Sequence, residues 1–325
     1  MDSSVAPTPL FPGLQHLVHK PDSPEAYLLG TAAPARQRFA FATELPESHP
    51  LYDDTPLPFH DLLFPVEGLR RAALFAARQY FRVPDKRVTA IATAGTEITD
   101  VDAWRHTDGP ARISLDLTLT PVDVVTGVPR GLTCEADVAI DGRRCGTAGA
   151  RLAFLSPGVH RAHREAGRLR SERSVTAGAD GAERAGSPDP GQVGRRTARH
   201  VFVGLPAQGP DDTLVLRVDT AAAAAVLSDG SDEVPAALYL EASRQATLLA
   251  AAELHGFLPA HTLLTRWRAA FRGYAEPGLA LHCAVRAKGA TVRDAAGRPQ
   301  ARLHLSFLQG EREVAQVSAT ALQDC

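Results

Sequence analysis

Two glutamates, each followed three residues later by an arginine, are the side chains of this 325-residue chain best suited to chemistry. Glu67 and Arg70 stand in VEGLRRAALFAA (66–77), and Glu241 and Arg244 in LEASRQATLLAA (240–251). In a helix, residues three apart share a face. A carboxyl in the opening turns of an apolar helix loses water, which raises its pKa toward the working pH, so either glutamate can act as a general base. The arginine one turn further on can grip a phosphate bidentately, or it can neutralise the glutamate and keep it ionised. Spacing leaves both open, and a purely structural ion pair is the plainer alternative. The start of each helix offers backbone N–H groups and a positive dipole end to an oxyanion. His60, ahead of Glu67, is a candidate proton carrier, with an ordinary loop histidine as the alternative. Arg71 and Gln245 are candidate substrate-binding residues, each with a packing or surface role as its alternative.

The two segments must be held by equivalent elements. Six of their twelve positions are identical, at an offset of 174 residues, close to half the chain. Self-similarity on this scale points to a duplicated domain. In the first half, Arg38–Thr43 alternates as a strand does, and a loop dense in Pro, Asp and His follows. Asp61 is a natural N-cap for a helix from Leu62 to about Phe81, apolar on more than one stripe and so surrounded by protein. Strand patterns follow at Val88–Val101, Ile113–Val125, Leu132–Ile140 and Cys145–Leu155, with Asp141-Gly142 as a hairpin signal.

The second half replays this order. Strands are expected at Val201–Leu205 and Leu214–Val218, then a loop at Ser228–Val234 and a helix from Pro235 to Gly256. Strand patterns return at Leu263–Tyr274, Leu279–Ala287, Ala301–Leu308 and Glu313–Leu322. One long buried helix wrapped by an antiparallel sheet is the hotdog architecture. The expected fold is therefore α+β, a tandem double hotdog, with domains at residues 14–156 and 198–325. The Arg/Gly-rich stretch 157–197 between them reads as a linker. His160 and His163 within it stand alone in a charge run and make no metal site.

Composition narrows the function. With 44% hydrophobic residues the chain can fill two cores, and a net charge of −2 gives no reason to expect nucleic acid or an anionic membrane as partner. No apolar run approaches the roughly 20 residues of a membrane span, and the start is not that of a signal peptide. Four scattered cysteines without a Cys-x-x-Cys pair point to reduced thiols in a cytoplasmic setting rather than zinc or redox work. There is no Gly-x-Ser-x-Gly elbow, phosphate-binding glycine loop or His-Glu-x-x-His, so no metal or cofactor is expected.

VPAALYLEASRQA (234–246) resembles the helix start of the hydroxyacyl-carrier-protein dehydratases, with Pro235, Glu241 and Gln245 at the matching positions. VHK (18–20), HPLYDD, FHDLLFPVEGLRRA (59–72), GQVGRR (191–196) and EVPAALYLEASRQA, in this order, resemble the AfsA family of A-factor biosynthesis hotdog proteins. That resemblance implies an acyltransferase. A β-ketoacyl group, carried as a thioester on acyl carrier protein, is joined to the hydroxyl of dihydroxyacetone phosphate or a similar C3 acceptor. The ester then closes to a butenolide, a γ-butyrolactone-type precursor. The implied partners are the carrier protein and the phosphorylated acceptor, with a monomer or homodimer as the assembly. A dehydratase or thioesterase of a secondary pathway, or a non-catalytic acyl- or lactone-binding protein, are the alternatives. The chain also departs from the pattern. Relatives carry histidines in the loop before the second helix, where this chain has Gly230 and Glu233. The dehydratase histidine falls at Leu227, and the first half has Arg71 at the glutamine position.

Overall fold

The computed structural model describes residues 17–20, 36–44, 54–107, 109, 111–175, 186–227 and 234–324. In the first half, strands β1 (Leu17–Lys20) and β2 (Gln37–Glu44) lead to helix α1 (Leu63–Gln79). Strands β3 (Val88–Ile98), β4 (Arg112–Val125), β5 (Val128–Ile140) and β6 (Arg143–Leu155) follow. Helix α2 (Pro157–Val175) connects to the second half. There β7 (Ala207–Gln208), β8 (Leu214–Val218), helix α3 (Thr220–Leu227) and helix α4 (Ala236–His255) precede β9 (Thr262–Phe271) and β10 (Leu281–Ala287). The short β11 (Val292–Arg293), then β12 (Pro299–Gln309) and β13 (Arg312–Gln323), complete it.

The described strands form one antiparallel sheet in the order β1-β2-β4-β5-β6-β3-β9-β13-β12-β10-β8-β7, with β11 paired to β12. The halves meet at β3 and β9 in a symmetric register: Thr93 faces Ala270, and Thr96 faces Trp267. Subtracting 174 from 270 and from 267 gives 96 and 93, so the junction has a pseudo-twofold axis. The Asp141-Gly142 turn has positive φ at both positions (49° and 78°), as a two-residue hairpin requires. Inward residues of β4 and β5, Leu115, Leu117, Leu132 and Val138 among them, pack under α1. Under α4 lie Leu216, Val285, Leu305 and Val317. Every residue of α4 from Leu238 to Ala251 is buried, so burial here has no stripe, as the sequence pattern predicts for such a helix.

Four expectations need correction. Residues 157–197 are not a simple linker. Helix α2 fills the first part and is tied down by Arg164, whose guanidinium lies 2.7 Å from Glu276. Further on, a 3₁₀ turn, Pro190–Val193, carries a capping box between Asp189 and Gln192. Asp61 does not cap α1: the N-cap is Leu62, with no side-chain cap. Val201–Leu205 contributes only one bridge, Val203 to Val218. The alanine-rich helix α3 was not expected, because it has no amphipathic period; the Asp219 carboxylate caps it by accepting from the N–H groups of Ala221 and Ala222. The loop residues Gly230 and Glu233 lie outside the described residues.

Candidate active site

The two Glu–Arg steps occupy equivalent helices but different environments. On α1, Arg70 grips Glu67 bidentately, Nε to Oε2 at 2.7 Å and Nη2 to Oε1 at 2.6 Å. Arg71 Nε adds a third bond to Oε1 at 2.9 Å. Glu67 is buried, while the Arg70 and Arg71 side chains each remain 26% exposed. All three groups come from one helix surface and face a solvent-reachable edge.

On α4, Glu241 is fully buried and accepts five hydrogen bonds. Arg244 binds it through Nε and Nη2 at 2.9 and 2.6 Å, and Arg195 does the same at 2.9 and 2.6 Å. Gln245 Nε2 adds a bond at 2.6 Å. Burial alone would push this carboxyl up, but Arg195 and Arg244 more than reverse that and hold it at about 2. Of the two outcomes that the spacing left open at Glu241, neutralisation by arginine prevails over desolvation, and both carboxylate oxygens are engaged. Arg244 is spent on Glu241 and on the Val193 carbonyl, 3.0 Å away. Gln245 is likewise engaged, accepting from Phe202 N at 2.8 Å and donating to the His200 carbonyl at 2.7 Å.

Arg195 is the member of this cluster that sequence reasoning passed over. It lies in the stretch read as linker and is fully buried between the halves, with Nη1 2.8 Å from Asp61 of the first half. Beside it, the Asp54 carboxylate meets His200 Nδ1 at 2.6 Å and accepts from Thr197 Oγ1 at 2.7 Å. Gly194 makes the approach possible. Its φ is +65°, and a Cβ there would lie 2.8 Å from Arg244 Nη1 and 3.0 Å from Leu248 Cδ1. The GQVGRR motif was the one available signal; its second glycine, Gly194, and its first arginine, Arg195, now have physical reasons.

Two cavities lie between the halves, related by the same offset of 174. One is lined by His60, Asp61, Leu62, Arg244, Leu248, Leu263 and Leu264, and holds about 40 Å³. At the other, the equivalent positions Val234, Pro235, Ala236, Arg70, Leu74, Thr89 and Ala90 line about 320 Å³. The latter is within the range of ligand pockets, roughly 300–1,000 Å³. The residues that lead into each helix, His60–Leu62 and Val234–Ala236, thus face the other helix, so His60 stands with Arg244 and not with Arg70. Burial, and then the His106 ring 4.6 Å away, lower the His60 pKa to about 4. His60 is neutral at physiological pH and poorly suited to carry protons there. A larger trough of about 780 Å³ lies on the helix-free face of the sheet. Three of its carboxylates pair with arginines: Asp116 with Arg38, Asp137 with Arg144, and Glu97 with Arg266 and Arg268. Nothing in it converges on a reacting centre.

Two long helices, each wrapped by its share of one continuous antiparallel sheet, with cavities at their mutual interface, define a double hotdog protein. This chain belongs to the AfsA family: the A-factor biosynthesis hotdog domain matches it twice, at residues 12–156 and 179–323. It is 29% identical over 234 residues to a 2-oxo-3-(phosphooxy)propyl 3-oxoalkanoate synthase of Streptomyces coelicolor, covering 72% of this chain and 70% of that one. A protein of the same description from Streptomyces griseus is 27% identical over 270 residues, 81% of each chain. Among solved structures, an oleoyl thioesterase from Lactobacillus plantarum superposes with a TM-score of 0.53 at 11% identity, over 90% of this chain and 99% of that one. A trans-AT polyketide synthase dehydratase domain from Brevibacillus brevis gives 0.50 at 11%, over 89% and 94%. These two share the fold alone.

The buried network makes two predictions. Arg195→Leu leaves Asp61 and Glu241 short of a cation and should cost roughly 3–5 kcal/mol, read from the urea midpoint, whereas Arg70→Met, at a partly exposed pair, should cost about 1 kcal/mol or less. Glu241 has its pKa depressed on folding, from 4.5 to about 2. Its contribution is therefore complete above pH 4.5 and is lost as pH falls toward 2; the stability–pH curve of Glu241→Gln should be flatter than the parent's in that window.

Proposed function

We propose that this chain is an acyltransferase that joins a β-ketoacyl group, delivered as a carrier-protein thioester, to the hydroxyl of dihydroxyacetone phosphate or a similar C3 acceptor, in the cytoplasm. The observation that carries this is the match to synthases of 2-oxo-3-(phosphooxy)propyl 3-oxoalkanoate along most of their length. That product name describes an ester of this kind. The 320 Å³ cavity, with Arg70 at its wall, supplies a place for the reaction. Glu67 takes the hydroxyl proton as the acceptor oxygen attacks the thioester carbonyl. The carbon–oxygen bond forms, the carbon–sulfur bond breaks, and the thiolate leaves with that proton. Arg70 and Arg71 hold the acceptor phosphate. The opening turn of α4, at Pro235 and Ala236 on the same cavity, turns the positive end of a 20-residue helix toward the developing oxyanion. The ester then closes to a butenolide: the carbon between the two acyl carbonyls bonds to the ketone carbon of the acceptor, and that ketone oxygen leaves as water. Glu241, Arg244, Gln245 and His60, candidates on sequence grounds, are given structural roles, His60 and Arg244 at the wall of the 40 Å³ cavity. We also place the hotdog units at residues 14–156 and 198–325, with residues 186–197 packing as part of the second.

The test is mass spectrometry of products from β-ketoacyl carrier-protein thioesters offered dihydroxyacetone phosphate. A phosphorylated ester or butenolide is expected; release of free β-keto acid alone, or no turnover at any chain length, overturns the reading. Glu67→Gln should lower kcat by about 10²–10⁴, and Arg70→Met should raise KM for the phosphorylated acceptor more than for the thioester. Glu241→Gln, where it folds, should show neither pattern.

A further inference from the structure

We propose that Tyr239 closes the inner end of the open cavity and sets the longest acyl chain the protein accepts. This rests on the reading that the cavity takes the acyl donor. The cavity is polarised. Arg70, His163 and Arg272 are half-buried or exposed and stand at its wet side. Its other walls, including Leu74, Ile91, Leu155 and Phe271, are apolar, a surface that suits an alkyl chain and offers little to a phosphate.

Tyr239 is 3% exposed and lies on the second turn of α4. Its ring stands edge-on to Phe271, with centroids 5.3 Å apart, and edge-on to Phe307, at 5.1 Å. Phe271 belongs to the cavity wall, whereas Phe307 is fully buried in the core of the second half. The tyrosine ring is therefore the partition between cavity and core. It is also held: the ring is packed edge-on against both Phe271 and Phe307, and it borders Ala275, another wall residue. A chain growing inward from the thioester end meets a held aromatic edge instead of a side chain that can swing away. The repeat sharpens the point. The position equivalent to Tyr239 is Pro65, so the 40 Å³ cavity has no such aromatic partition, and the ring is particular to the larger of the two.

The experiment measures binding, by calorimetry, of straight-chain acyl pantetheine amides of increasing length, which cannot be turned over. For the parent, affinity should rise with each added carbon and then stop rising at a limit. Tyr239→Val should move that limit to longer chains, tightening binding of the first chain past the parental limit on the order of tenfold. Tyr239→Phe, which keeps the ring, should keep the parental limit. Tyr239→Leu retains more packing on Phe307 and serves if the valine variant does not fold. Leu248→Ala, in the 40 Å³ cavity, should leave the profile unchanged. A folded valine or leucine variant with the parental limit overturns the proposal, as does a limit that moves in Leu248→Ala or a parent that binds no acyl pantetheine. If the parent shows the limit yet makes no ester with dihydroxyacetone phosphate, the reaction assigned above fails while the role of Tyr239 stands.

Discussion

The placement of both helices depends on the buried guanidinium of Arg195. Removing such a cation from water costs several kcal/mol even after relaxation, and the cost is recovered only by close, well-directed anions. Arg195 has two, Asp61 from the loop before α1 and Glu241 from α4. Glu241 in turn serves Arg244, so two cations and two carboxylates balance in one dry cluster. The three contributors come from the first half, the connection and the second half. Their meeting fixes how the halves approach, holds α4 in place and lays the backbone of Gly194 against Arg244 and Leu248 at the small cavity.

The same sequence step thus does opposite work in its two copies. Around Glu241 every donor is committed and nothing can be exchanged without stranding a charge. Around Glu67 the donors come from one helix and the arginines are partly wet, so opening a contact costs little, on the order of 1 kcal/mol. A site that must trade an internal partner for a ligand belongs in the second kind of setting. The difference is one of solvent and tertiary partners, since the residue types and spacing of Glu–Arg are the same.

Much of the fold was legible in the sequence because it rests on local periodicity. The long strands and both buried helices were read near their observed limits, and the offset of 174 gave the duplication. The errors share a cause. Arg195 reaches Asp61 and Glu241 across large separations in sequence, and in a stretch of Arg, Gly and Ala nothing local distinguishes it from solvated neighbours such as Arg196. His60 was paired with Glu67 because they are close in sequence, whereas the pseudo-twofold axis gives the loop before one helix to the other helix. Asp61 has the residue type of an N-cap and was taken by a stronger partner. At Glu241 the spacing left burial and one arginine in balance and could not count a second arginine. Helix α3 escaped because a run of alanines has propensity but no face.

The symmetric register of β3 against β9 also has an evolutionary consequence. In a homodimer built on such an axis every substitution appears at both interfaces at once, so a change that improves one pocket is imposed on the other. Joining the copies in one chain releases that constraint. A proline at position 65 and a tyrosine at position 239, or a histidine at 60 and a valine at 234, can then be selected separately. One interface becomes free to trade openness for cohesion while the other keeps its hollow, so the connecting segment gives the two surfaces separate mutational histories as well as a physical join.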